Sequence, residues 1–303
     1  MSMPSARPSG RVEQASRLPA NMTPSDNGSL PPDTSYVTAS SRVTSAYVSQ
    51  LAEQLSQRDL AMLRDLARLR CLTGNQLERL HLSDLAAPNR ARARRRVLNR
   101  LIRCHAVSTL NRRIGGVRAG SAGLVYALDV AGQRVLRLLD EQDEAPARRP
   151  WTPGLPFLAH TLAVAELYVQ LREAERAQQV ELLTFLAEPA AWQRTASLGT
   201  LKPDAYTLLA GGQFEDAWWI EVDNATESRA TLRRKLNLYL LAAQAGVAGP
   251  HQILPRVLVT VPDQRRLAVV GDLVAELPPP ADKLISVTLH NRGAPFMVET
   301  LQE

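Results

Sequence analysis

The chain has 303 residues, 45% of them hydrophobic, enough for two ordinary globular cores, and no apolar run nears the ~20 residues a bilayer span needs. Two cysteines, Cys71 and Cys104, argue against a disulfide framework or a cysteine zinc site, and the opening MSMPSARPSG lacks the pattern of a signal peptide, so a cytoplasmic location is expected. The net charge of +6 is unevenly spread: residues 1–140 hold 21 Arg and no Lys against 10 acidic residues, while residues 141–303 hold 15 basic and 20 acidic ones, so the first half is the one that attracts polyanions.

Residues 1–44 are rich in Ser, Pro, Thr and Asn without apolar periodicity and read as a disordered tail. From Tyr47 the spacing turns helical: Leu51, Leu55, Leu60, Leu63, Leu66 and Leu69 form an amphipathic stripe, with Ser56 as an N-cap before QRDLAMLRDLARLR. Thr73 caps a short second helix, GNQLERLHL. After a break at Ala86–Asn89 comes a third, RARARRRVLNRLIRC, with seven arginines in fifteen positions. Two β-rich runs follow around a Gly- and Arg-rich turn, AVSTLNRRIGGVRAGSAGLVYAL.

Three helices and then a basic hairpin is the order of a winged helix-turn-helix, whose third helix enters the major groove while the wing follows the backbone or minor groove. Val97, Leu98, Leu101 and Ile102 would pack inward, leaving Arg92, Arg95, Arg96, Arg100 and Arg103 on the remaining surface. A charged run is ordinarily a solvated helical face, but such a face mixes signs, and here no Asp or Glu interrupts the arginines. Arg112, Arg113 and Arg118 repeat the excess at the wing, so double-stranded DNA is the expected partner. AGQRVLRLLD at 131–140 gives one more helix packing back on this domain, taken as residues 45–140, and the polar, Pro-rich 141–154 reads as a linker.

The second domain, 155–303, reads as helix, three strands, helix, strand, helix, strand, and RVLVTVP is apolar on both faces, as in a sheet covered on both sides. If the central hairpin turns at Gly212–Gln213, partner numbers sum to 425. Asp204 then lies opposite Glu221 and Lys202 opposite Asp223, with Asp204, Trp219, Glu221 and Asp223 on one face. Facing carboxylates repel unless a cation lies between them, and Mg²⁺ or Mn²⁺ is the usual answer. The alternative is separate strand-end acids paired with Lys202 and Arg233 or Arg234.

LKPDAYTLL, WWIEVD and the Lys-bearing helix after them resemble the PD-(D/E)XK nucleases. LTGNQLERLH, RIGGVRAGSAGLVYAL, GLPFLAHTLAVAEL, KPDAY and IEVDNATESRATLRRKLNLY together resemble the replication-relaxation family of plasmids and mobile elements, over residues 57–262. The resemblance implies an α+β or α/β two-domain chain, a winged helix-turn-helix followed by a restriction-endonuclease-like αβββαβ core. It also implies Asp204 and Glu221 as metal ligands, with Glu166 of the long helix added to them. The pattern's Lys is Asp223 here, so Lys235 on the next helix, or else Lys202, would supply the charge. Of five histidines, none makes the paired site of a tyrosine relaxase; Tyr239 reads as a packing residue and His160 as a cap or structural group. No phosphate loop occurs, so no nucleotide cofactor is expected. Two functions remain: a Mg²⁺- or Mn²⁺-dependent endonuclease or nickase of plasmid or mobile-element DNA, or a non-catalytic DNA-binding regulator or replication factor whose degenerate nuclease-like domain serves dimerisation or partner binding. A homodimer suits either.

Overall fold

Two helix starts are fixed by reciprocal side-chain caps. In the computed structural model, which describes residues 43–113 (backbone alone for 111–113), 123–140, 153–195 and 198–302, Ser56 and Asp59 close a capping box at the start of α2 (Gln57–Leu69), and Thr73 and Gln76 close another on α3 (Gly74–His81). Both caps fall where the sequence places them. The leucine stripe before α2 is a separate helix, α1 (Ser45–Gln54), because Ser56 leaves the helical conformation to cap the next one. The arginine-rich helix is α4 (Ala87–Arg103), begun by Pro88 in its first turn.

A two-residue strand, β1 (Leu72–Thr73), lies beside the hairpin of β2 (Val107–Arg113) and β3 (Leu124–Leu128) in a three-stranded sheet ordered β1-β3-β2. The expected packing helix, α5 (Val130–Leu139), returns against α1 and α2. It comes so close to Ala106 that a Cβ on Gly132 would sit 2.2 Å from the Ala106 carbonyl oxygen. Gly132→Ala is therefore expected to lower stability by about 1–3 kcal/mol, the cost of overpacking a filled site, measurable by urea unfolding.

The second half begins with α6 (Leu155–Arg176) and builds a five-stranded sheet from β4 (Glu181–Ala187), β7 (Ala205–Gly211), β8 (Phe214–Val222), β9 (Arg256–Val261) and β10 (Ile285–Leu289). The order is β10-β9-β8-β7-β4, with β8, β9 and β10 mutually parallel and β7 antiparallel to both β8 and β4. α7 (Arg229–Gln244) and α8 (Gln264–Ala275) supply the crossovers between the parallel strands, the second together with the short α9 (Ala281–Leu284). The fold is thus a mixed α+β one, with helices on a mixed sheet. Every element expected in this half is present. The additions are α9, a small hairpin of β5 (Gln193–Thr195) and β6 (Gly199–Leu201) inserted before β7, and a last helix, α10 (Gly293–Gln302), packed on α6 and β7.

The halves read as separate domains share one core. The described residues from 43 onward form a single compact unit, and one apolar cluster runs from Leu63, Leu66 and Leu77 through Val164, Leu167 and Tyr168 to Trp218 and Ile220. α6 is the seam: Arg79 of α3 binds Glu166 at 2.5 Å and Glu173 through two nitrogens, at 2.8 and 2.5 Å. Tyr168 donates to Asp65 of α2 at 2.9 Å, and Gln76 donates to the Leu162 carbonyl at 3.1 Å. The expected linker and tail lie outside the described residues, apart from 153–154 of the one and 43–44 of the other.

Candidate nucleic-acid interface and carboxylate site

On α4 the buried positions are Ala93, Arg94, Leu98 and Leu101, so the helix packs close to the face its apolar spacing indicates. Three of its arginines are tied to other parts of the fold, and among the described residues Arg103 donates only to the Asn99 carbonyl of its own helix, at 3.3 Å. Arg94 pairs with Glu78 at 2.8 Å, Arg90 donates to the Leu85 and Ser83 carbonyls, and Arg100 pairs with Asp59 at 2.5 Å. Burial pushes the Asp59 carboxyl up, but hydrogen bonds from Arg100 and Ser56 outweigh it and hold it below its ordinary value. Arg100, grouped from sequence with the DNA-facing residues, is thus a partner of the α2 cap.

Arg92, Arg95, Arg96 and Arg103 are exposed, and among the described residues none of them makes an ion pair. With Asn99 they fall at helical spacings of three, four and seven, a continuous stripe along one face of α4. Arg112 and Arg113 end β2, with side chains outside the described residues; Arg118 lies wholly outside them.

The hairpin in the second half has the expected register. Its pairs run from Ala205–Ile220 to Gly211–Phe214, around a two-residue turn in which Gly212 takes φ +60°. Asp204 sits one residue before β7; its N–H donates to the Ile220 carbonyl at 3.0 Å, and its Oδ2 accepts from Val222 N–H at 2.7 Å. Its Oδ1 lies 3.2 Å from His160 Nε2, so His160 is a direct partner of the first carboxylate. Burial lowers the His160 pKa, yet the bond and charge of Asp204, with Glu188 and Glu221 behind it, raise it above the ordinary value.

Glu221 is enclosed, with 3% of its side chain exposed. Lys235 Nζ lies 3.1 Å from its Oε2, and the Tyr239 hydroxyl donates to its Oε1. Burial and the charge of Asp204 raise the Glu221 pKa well above the usual carboxylate value, against the opposing pull of Lys235 and Tyr239. Lys235 also binds Glu227 at 2.9 Å. The lysine expected to have migrated onto α7 is therefore beside Glu221, and Tyr239 is its hydrogen-bond donor as well as a packing residue against Trp219.

Other sequence-chosen residues go elsewhere. Glu166 is committed to Arg79 and Gln76, on the face of α6 turned to the first half. Asp223 is held by Arg266 Nε at 2.6 Å and by Ala225 N–H at 2.9 Å, which accounts for both its oxygens. Lys202 does not answer Asp223 but lies over the Trp192 ring, 4.9 Å from its centroid. His290, missed from sequence, bridges Thr260 at 3.0 Å and Asn224 at 3.2 Å beside Asp223. Among the described residues no three ligating side chains are grouped to hold a metal ion, and every oxygen of Asp204 and Glu221 already has a protein partner. In this arrangement no carboxylate oxygen is left unpartnered for a divalent ion; the Lys235 ammonium lies beside Glu221, and the His160 imidazole holds Asp204.

Residues 63–257 match the replication-relaxation family. The chain belongs to that family. The match takes in α4, the β2–β3 hairpin, Asp204, Glu221 and Lys235, and it associates the chain with replication. No curated protein and no solved structure matches this family member. Among its described residues no helix is long and apolar enough to cross a membrane.

Proposed function

We propose that this replication-relaxation family member is a double-stranded DNA-binding protein of plasmid or mobile-element replication, with α4 as the helix that enters the major groove. The observation that carries the reading is the sorting of arginines on α4: Arg90, Arg94 and Arg100 are bound to other parts of the fold, while Arg92, Arg95, Arg96 and Arg103 stand exposed along one face with no ion pair among the described residues. The arrangement of α2, α3 and α4 with the β1-β3-β2 sheet supports a winged helix-turn-helix, in which β2 and β3 form the wing. A symmetric duplex site would engage two copies of the chain. Titrating a labelled plasmid-derived duplex with wild type and with Arg95→Ala/Arg96→Ala at several salt concentrations tests the reading.

A second reading, Mg²⁺- or Mn²⁺-dependent nicking, is favoured by Asp204 meeting Glu221 across the β7–β8 hairpin with Lys235 at 3.1 Å. The order α6, β4, β7, β8, α7, β9 is also the αβββαβ order of the nuclease-like core. For metal to enter, His160 and Lys235 would have to give up the oxygens they now hold. Incubating supercoiled plasmid with the protein and Mg²⁺ or Mn²⁺ decides between the readings: metal-dependent nicked circles, lost in Glu221→Ala, establish cleavage. Intact plasmid, with duplex binding preserved, leaves a non-catalytic DNA-binding protein whose second half positions partners.

A further inference from the structure

Between β4 and β7 the chain leaves the sheet at Glu188 and returns at Asp204, and the two ends are tied by the Glu188 N–H, which donates to the Asp204 carbonyl at 3.0 Å. The described residues between them, 189–195 and 198–203, are firmly rooted. Ala191 and Leu201 are buried in a further apolar cluster with Leu208, Trp219 and Leu236, the β5–β6 ladder pairs Gln193 with Leu201 and Thr195 with Gly199, and Gln193 donates to the Ala248 carbonyl. From this base Trp192, Arg194 and Lys202 face outward. Trp192 is 40% exposed, whereas Trp218 and Trp219 are fully enclosed.

A tryptophan on a rigid base is an expensive thing to leave in water, and the cation 4.9 Å from its ring makes the pair a recognition element for something both flat and anionic. An unpaired nucleotide has both properties: the base stacks on the indole, and its phosphate meets Lys202 and Arg194. A base inside a duplex is stacked on its neighbours and offers no free face, so the surface suits a single strand. Lys202 is two residues from Asp204 and Trp192 four from Glu188, so a strand held there lies at the end of the sheet that carries the carboxylates.

We propose that the β5–β6 projection is a binding surface for single-stranded DNA, with Trp192 as the stacking platform and Lys202 and Arg194 as phosphate contacts. The proposal rests on the DNA-binding reading but uses a different surface from α4, so one can fail without the other. An unpaired strand is what local melting or nicking of a duplex held by α4 would produce.

Anisotropy titrations of the full chain in EDTA, with a labelled 20-nucleotide thymidine oligonucleotide and with a 20-base-pair duplex, test it. Trp192→Ala is expected to weaken single-strand binding about 10-fold and Lys202→Ala several-fold, on the scale of one lost stacking contact and one lost charge. Trp192→Phe should keep most of the affinity, and duplex binding should stay within two-fold of wild type throughout. Single-strand affinity unchanged in both alanine variants overturns the proposal, as does an equal fall for duplex and single strand. So does a wild type that binds no single strand, or a Trp192→Ala variant that differs only in oligomeric state, which would make the surface a contact between copies. Loss of duplex binding in Arg95→Ala/Arg96→Ala, read in the same titration, reports separately on α4.

Discussion

Arg95→Ala/Arg96→Ala is expected to weaken duplex binding about 60-fold at 0.1 M monovalent salt and about 20-fold at 0.2 M. These figures follow from the counterions displaced by two phosphate contacts, each adding about 0.9 to the slope of log affinity against log salt. The slope itself should fall by about two. Such a change has no structural side effect to confuse it, because both side chains are exposed and neither forms an ion pair among the described residues. Arg94→Ala is the informative contrast. Its side chain is 11% exposed and pairs with Glu78, so its removal should lower the melting temperature while leaving the salt slope nearly intact. Arg100→Ala should behave likewise, through loss of the bond to Asp59. If the two exposed arginines and the two paired ones change the salt slope equally, α4 is not the contact helix.

What the sequence disclosed divides along local and non-local lines. Caps at Ser56 and Thr73 involve partners three residues away, and the Gly212–Gln213 turn fixes the whole β7–β8 register, so all three were readable. The facing of Asp204 and Glu221 follows from that register. The side-chain partners do not, because they depend on how helices rotate against one another. Glu166 finds Arg79 across 87 residues, Asp223 finds Arg266 across 43, and Asp204 finds His160 on a helix that periodicity alone cannot orient. One signal was available: LAHTLAVAELYVQL is apolar nearly all round, and such a helix is covered on more than one side. That pattern marks α6 as the seam between the halves, with Glu166 turned to one side and His160 to the other. The family match covers both sides of the seam, and α4 and the carboxylates lie in the same compact unit.

The site around Glu221 makes the second strong expectation, because its charges are balanced by side chains and not by solvent. At pH 9, above the pKa of about 8 that burial and Asp204 give Glu221, Lys235→Met should destabilise the protein by about 2 kcal/mol, below the about 3–5 typical of a wholly buried pair, because the lysine is 36% exposed and partly screened. In a Glu221→Gln background the same replacement should cost little, since no buried anion is then left without its partner. Glu221→Gln alone tests the electrostatics from the other side. Burial and Asp204 raise the folded-state pKa of Glu221 above its ordinary 4.5, so from that value upward the folded chain binds more protons than the unfolded one, and stability falls as pH rises. Lys235 adds no slope in this range, because its own pKa is raised above 10.5 and its contribution is lost only in stronger base. The variant should therefore gain on wild type as pH increases from 5 to 9, measured by thermal unfolding in EDTA. A gap that stays constant or narrows would mean that Glu221 is held as a comfortable carboxylate, with Lys235 and Tyr239 outweighing its burial. That outcome would favour a carboxylate already poised for metal, and the nicking assay would then carry more weight than the geometry.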